Sequence, residues 1–270
     1  MKQGEGAESG KQALTLDSLP ELDIPALSFD AVSTANMSKS RKLNVKALGL
    51  HRRKEYGAAE KIYIESLQAD PGQLLARYNL ACAYNMSEQS PKGLAVLAQL
   101  RAKACPECIG QLVHARTDKE WESQWNKPLF DELTRGISIE KPKLDKLTAK
   151  FVSALKSGKL DSVEELIPVR SAVTWEYTAG ICDDNCDSKS VYYGSKAVIA
   201  KLRRESKSVK NYPNSPAMRV YYDRLECDKR CCSLTHEEGA SHSYTNLGKV
   251  CFKTHPGGVV LLAGFVEWGD

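Results

Sequence analysis

Residues 225–238 read LECDKRCCSLTHEE, and the three cysteines within them limit the possible folds more tightly than any other stretch. Cys231 and Cys232 are adjacent. In a β-strand, neighbouring side chains point to opposite faces, so these two thiols cannot both reach one small ion without distortion. Cys227 precedes them, and Cys182, Cys186 and Cys251 complete a set of six in the second half of the chain. Three chemistries compete for this set. Zinc would take four thiolates, but the spacing is C-x3-C rather than that of the usual tight knuckles. A nucleophilic cysteine needs a nearby base; His236 and His242 are close in sequence, yet no nucleophile motif surrounds the thiols. Disulfides suit the pattern best, because opposite-facing neighbours can take two different partners. The expected bridges are Cys182–Cys186, closing the loop CDDNC, and two among Cys227, Cys231, Cys232 and Cys251. Cys251 lies on the next strand, where it can meet Cys231 or Cys232. Cys105 and Cys108, in CPEC at a helix start, read as a local disulfide or an inert pair, because a redox dithiol of that spacing follows a strand and here helices lie on both sides. Cys82 falls on an apolar helix and reads as a small buried hydrophobe. No metal, cofactor or catalytic residue is assigned.

Clustered cysteines are typical of oxidising compartments. The N-terminal MKQGEGAESGKQ has no apolar leader core, which taken literally means the cytoplasm. The expectation is therefore the periplasm or cell envelope if a leader has been removed, and the cytoplasm otherwise. The 270 residues are 42% hydrophobic and 27% charged, an ordinary globular composition with room for about two domains. No apolar run approaches the roughly 18–20 residues of a transmembrane segment. A net charge of +4 is too small to argue for nucleic acid, which requires a concentrated basic face. No Gly-rich phosphate loop, His-Glu-x-x-His or Gly-x-Ser-x-Gly pattern is present. No oligomeric state is read from the chain.

Residues 1–38, with Pro20 and Pro25, read as an extended or disordered arm in which LPELDIPALSF is apolar enough to lie on the domain that follows. From residue 39 the apolar spacing becomes helical. Ala58, Ala59, Ile62, Tyr63, Ser66 and Leu67 make one stripe, and Asp70-Pro71-Gly72 stops that helix. Leu75, Tyr78, Leu80, Ala81 and Tyr84 begin a second pair. Ser90-Pro91 has helix-start character, and Leu94, Leu97, Ala98 and Leu100 follow. The two pairs superimpose at a period of 34 residues.

That period, with Tyr78-Asn79-Leu80-Ala81, Tyr84, Leu97 and Leu100, resembles the tetratricopeptide repeat. The first pair places Leu43, Ala47, Leu50, Tyr56, Ala59, Tyr63 and Pro71 at the family's slots; Lys46 and Gly93 depart from it. In that family the first helix of each pair lines a concave groove. The resemblance implies a partner-binding groove of Asn44, Leu48, His51 and Arg52 with Leu75, Tyr78, Cys82, Asn85 and Met86. Such a mixed surface suits a peptide with an apolar anchor and an acidic end. The run His51-Arg52-Arg53-Lys54 reads as a solvated turn. Two repeats are fewer than the about three needed for independent stability. Residues 106–135 are expected to cap them, through a capping box Thr117-x-x-Glu120 and the apolar Trp121, Trp125, Leu129, Phe130 and Leu133.

Residues 137–143 read as a linker closing a 39–136 helical domain, and 144–270 as a second domain. Its helical start, broken at Ser157-Gly158, precedes candidate strands at 172–178, 218–225, 231–237, 243–253 and 258–268 and a short helix in GSKAVIAKLRRES. VVLLAGFV is apolar on both faces and should be central or covered. This element order resembles the nuclear-transport-factor-2-like (SnoaL-like) α+β cone, which implies a pocket between helices and sheet with Asp223, His236 and Glu237 as its candidate acid–base groups. The expected class is α+β: all-α helical-hairpin repeats, then an antiparallel sheet with helices on one face. The expected function is a non-enzymatic interaction protein that binds a protein or peptide partner through the helical groove, with a disulfide-stabilised second domain. The alternative is a small-molecule binder or enzyme using the cone pocket.

Overall fold

The computed structural model describes residues 14–136, 143–170, 172–179, 188–193, 195–211, 224–235 and 246–269. The fold is α+β, with helices first and a six-stranded sheet second. Helices α1 (Thr34–Arg52) and α2 (Tyr56–Ala69) form one hairpin, α3 (Leu74–Met86) and α4 (Ser90–Lys103) the next. α1 starts inside the stretch expected to be extended, because the Ser33 hydroxyl accepts the Asn36 N–H at 3.1 Å and caps it. The repeat reaches the backbone conformation: Lys54 and Glu88, at matching positions of the two hairpin turns, have φ of 64° and 63°. Gly93 has a packing reason. A Cβ there would stand 2.8 Å from the Ala81 carbonyl oxygen and 3.1 Å from the Trp121 ring, so even alanine is too large.

Three short elements follow: α5 (Pro106–Ala115), a 3-10 turn at Lys119–Gln124 and α6 (Pro128–Thr134). The expected capping box is not formed. Asp118 caps the turn, accepting the Glu120 N–H at 3.1 Å, while Thr117 donates back to the His114 carbonyl. Trp121, Leu129, Phe130 and Leu133 are buried in one core with the two hairpins. The arm lies on that core through Leu19, Leu22, Ile24, Leu27 and Phe29. The buried Arg77 guanidinium holds it by donating to the Pro25 carbonyl at 2.7 Å, and also to Pro71 O and Gln99 Oε1.

The second core lies between α7 (Leu144–Ser157), the 3-10 turn Leu160–Leu166, α8 (Ser195–Asn211) and the sheet, with Phe151 and Trp175 each 5.0 Å from the Phe265 ring. α7 ends at Gly158, whose φ of 71° makes the left-handed cap. The strands are β1 (Ala172–Ala179), β2 (Ser188–Tyr193), β3 (Arg224–Cys227), β4 (Cys231–Thr235), β5 (Asn246–Thr254) and β6 (Val260–Gly269). Their order is β2-β1-β6-β5-β4-β3. β6 is interior, and its neighbours Leu261 and Leu262 are both buried, as its two-sided apolar pattern requires. The sheet is mixed rather than wholly antiparallel, because β1 runs parallel to β6. β2, absent from the expected strands, is an edge strand with a mostly exposed pattern.

The adjacent cysteines take different partners. Cys232 is opposite Cys227 on β3 and bonded to it; Cys231 is opposite Cys251 on β5 and bonded to it, each pair with Cα atoms 4.0 Å apart. Cys105 and Cys108 form a local disulfide at the start of α5. Cys182 and Cys186 lie outside the described residues, as do Asp223, His236, Glu237 and His242.

The halves meet closely at several places among the described residues, three of which set the junction around α5 and Asp70. Gly110 of α5 lies on the turn Pro256-Gly257-Gly258 between β5 and β6 so closely that a Cβ on Gly110 or Gly257 would overlap the opposing backbone oxygen. The Asp70 carboxylate, almost fully buried, accepts two bonds from the Arg170 guanidinium, at 2.7 and 3.1 Å. The Val169 N–H donates to Glu107 Oε1 at 2.9 Å.

Candidate functional site

The groove residues separate into two groups. Tyr78, Asn85 and His51 are buried beneath the segment 118–124, which lies across them. The Tyr78 hydroxyl donates to Asp118 Oδ2 at 2.8 Å. Asn85 donates to the Glu120 carbonyl at 2.6 Å and accepts from Ser90 and Gln124. His51 Nε2 is 3.0 Å from a Glu120 carboxylate oxygen, and that contact holds Glu120 below the usual carboxylate range. Cys82 Sγ and the Asp118 and Glu120 carboxylates lie within 4.8 Å of one another. Tyr78 and His51 already partner those carboxylates, and burial pushes the Cys82 thiol up, so the cluster acts as a hydrogen-bond network pinning the capping segment. Arg52 and Met86 are exposed and Leu48 is half-buried.

The other end of the groove is open. Asn44 and Leu75 line a cleft of about 520 Å³ between the helical half and the sheet, together with Arg41, Val45, Glu107, Gln111, Asp70, Arg170, Lys253 and His255. That size falls in the range of ligand sites. Val45 and Leu75 are 68% and 46% exposed, which makes them an uncovered apolar wall. Arg41 lies over the Tyr193 ring at 5.1 Å and, like Lys253, is exposed at the rim. Asn44 is fixed by Asn79, which donates to it at 3.1 Å.

The floor is made by α5. Glu107 and Gln111 are one turn apart on one helix face. They are only 6% and 4% exposed, yet Glu107 Oε2 and Gln111 Oε1 have no hydrogen-bond partner. Burial raises the Glu107 carboxyl to about 7, against the opposing effect of backbone N–H groups. On the sheet side, burial and then Lys253 pull the His255 imidazole down to about 4, so it is neutral near pH 7. The described lining holds no serine or thiol nucleophile.

Glu107, Gln111, His255, Arg170 and Asp70 were not among the sequence candidates. Glu107 lies inside CPEC, a motif read for its sulfur. The available signals were Gly110 within a helix and the Pro256-Gly257-Gly258 turn, both marks of close backbone approach. Comparison with protein-family models, with curated proteins and with solved structures finds no match to this chain, so the cleft is understood from its own geometry.

Proposed function

We propose that the chain is a non-enzymatic binding module of tetratricopeptide type. Its inter-half cleft takes a short peptide segment with an apolar anchor and an acidic end. The observation that carries this reading is the juxtaposition of the uncovered Val45 and Leu75 with the rim cations Arg41 and Lys253 over one cleft. The hairpins recurring at 34 residues support the family likeness. The binding face is the open end of the expected groove, since the 118–124 segment covers Tyr78, Asn85 and His51. The nuclear-transport-factor-2-like likeness of the second half stays with the proposal. The disulfides suit an oxidising compartment, and we assign the protein to the periplasm or cell envelope on that basis.

The test is random-peptide display against the full chain, followed by affinity measurement on Leu75→Asp and Arg41→Glu. Enriched peptides should pair an apolar residue with an acid and lose at least about tenfold in affinity on each variant, with circular dichroism unchanged. Peptides indifferent to both substitutions would refute the assignment.

A further inference from the structure

The floor of the cleft is chemically unfinished. Glu107 Oε1 is bonded to the Val169 N–H, while Oε2, like Gln111 Oε1, is buried and unpaired. Native interiors pair almost all such atoms, so two unpaired acceptors one turn apart, both lining one cavity, mark a place for a donor. Five charged or titratable groups surround Glu107 across the cleft. Arg170 is bound to Asp70 and to the Asp30 carbonyl. His255 is neutral near pH 7, and Arg41 and Lys253 are exposed at the rim. Among the described residues no cation makes an ion pair with Glu107, and burial is the largest influence on its proton affinity. A buried carboxylate with one free acceptor oxygen beside the Gln111 carbonyl, positive charge exposed at the rim while Arg170 is neutralised by Asp70, and an apolar wall between has the charge order of a zwitterion's receptor.

We infer that Glu107 Oε2 and Gln111 Oε1 receive the protonated amino group of the bound peptide, so that the cleft selects a free amino terminus, with the peptide's carboxylate toward Arg41 and Lys253. An ammonium group supplies three N–H donors and the counter-charge that Glu107 lacks. This rests on the reading of the cleft as a peptide site.

Calorimetric titration of the full chain with the tripeptide Leu-Ala-Glu and with its N-acetylated form tests it. The free peptide should bind at least about tenfold more tightly than the acetylated one, a difference of 1.4 kcal/mol. Glu107→Gln should abolish that difference, and Gln111→Leu should reduce it. Affinity for the free peptide should rise from about pH 5.5 to 7.5, as Glu107 ionises while the peptide amine stays mostly protonated. Equal binding of the two peptides, still weakened by Leu75→Asp, overturns the amine site and leaves the peptide cleft standing. Binding of neither peptide overturns both. Thermal melts of each variant establish that it is folded.

Discussion

The hydroxyl of Tyr78 shows how one bond decides whether a groove residue is available. Its side chain sits where the repeat places it, but its hydrogen goes to Asp118. Tyr78→Phe should leave a carboxylate oxygen short of a donor and cost about 1–3 kcal/mol, read as a lower urea midpoint at unchanged slope. At the cleft, two titrations oppose each other. Folding raises Glu107 from an ordinary 4.5 to about 7, so the folded state holds the extra proton and stability declines as pH rises from about 4.5 to 7. Folding lowers His255 from 6.5 to about 4, so the unfolded chain holds the extra proton and stability climbs from about pH 4 to 6.5. The slopes offset each other over most of this window, leaving Glu107 alone between about 6.5 and 7. Glu107→Gln removes the declining slope. Its urea-derived stability should climb from pH 4 to 6.5, and a profile matching the unsubstituted chain would count against these shifts.

At the level of elements, β4 is bonded through sulfur to both neighbours, one bridge on each face. The Cys231–Cys251 bridge spans 20 residues and Cys227–Cys232 spans 5. Loop-closure entropy grows with the logarithm of loop length, so the longer bridge should contribute about 1 kcal/mol more. Paired substitution of Cys231 and Cys251 by alanine should lower the urea midpoint further than the same change at Cys227 and Cys232. This bonding was foreseeable because adjacent strand positions face oppositely. The interior place of β6 was foreseeable from its two-sided apolar pattern. β2 was not: an exposed edge strand has no buried face to impose alternation. The capping box failed because Glu120 finds a better partner in His51, distant in sequence and adjacent only after folding.

For the whole molecule, the cleft exists only because the two halves are fixed against each other. Arg170→Ala would strand the Asp70 carboxylate in a site 1% exposed, at about 3–5 kcal/mol. Gly110→Ala would push α5 off the Pro256 turn and cost about 1–3 kcal/mol. Both should lower the thermal midpoint, and both should weaken peptide binding at Leu75 although neither residue lies on the apolar wall. Retained affinity in a destabilised Gly110→Ala would show that the cleft does not need the junction.

The sequence by itself determined the helix pairs, the α+β class and that two bridges join Cys227, Cys231, Cys232 and Cys251, because each follows from local periodicity or from the alternation of side chains along a strand; the strand register decided that Cys232 takes Cys227 and Cys231 takes Cys251. Tertiary structure alone decided the parallel β1–β6 pairing, the covering of Tyr78, Asn85 and His51 by residues 118–124 and the cleft with its unpaired Glu107 and Gln111. Those depend on distant backbone segments meeting, and a close approach such as Gly110 on Gly257 leaves only a missing side chain in the sequence to announce it.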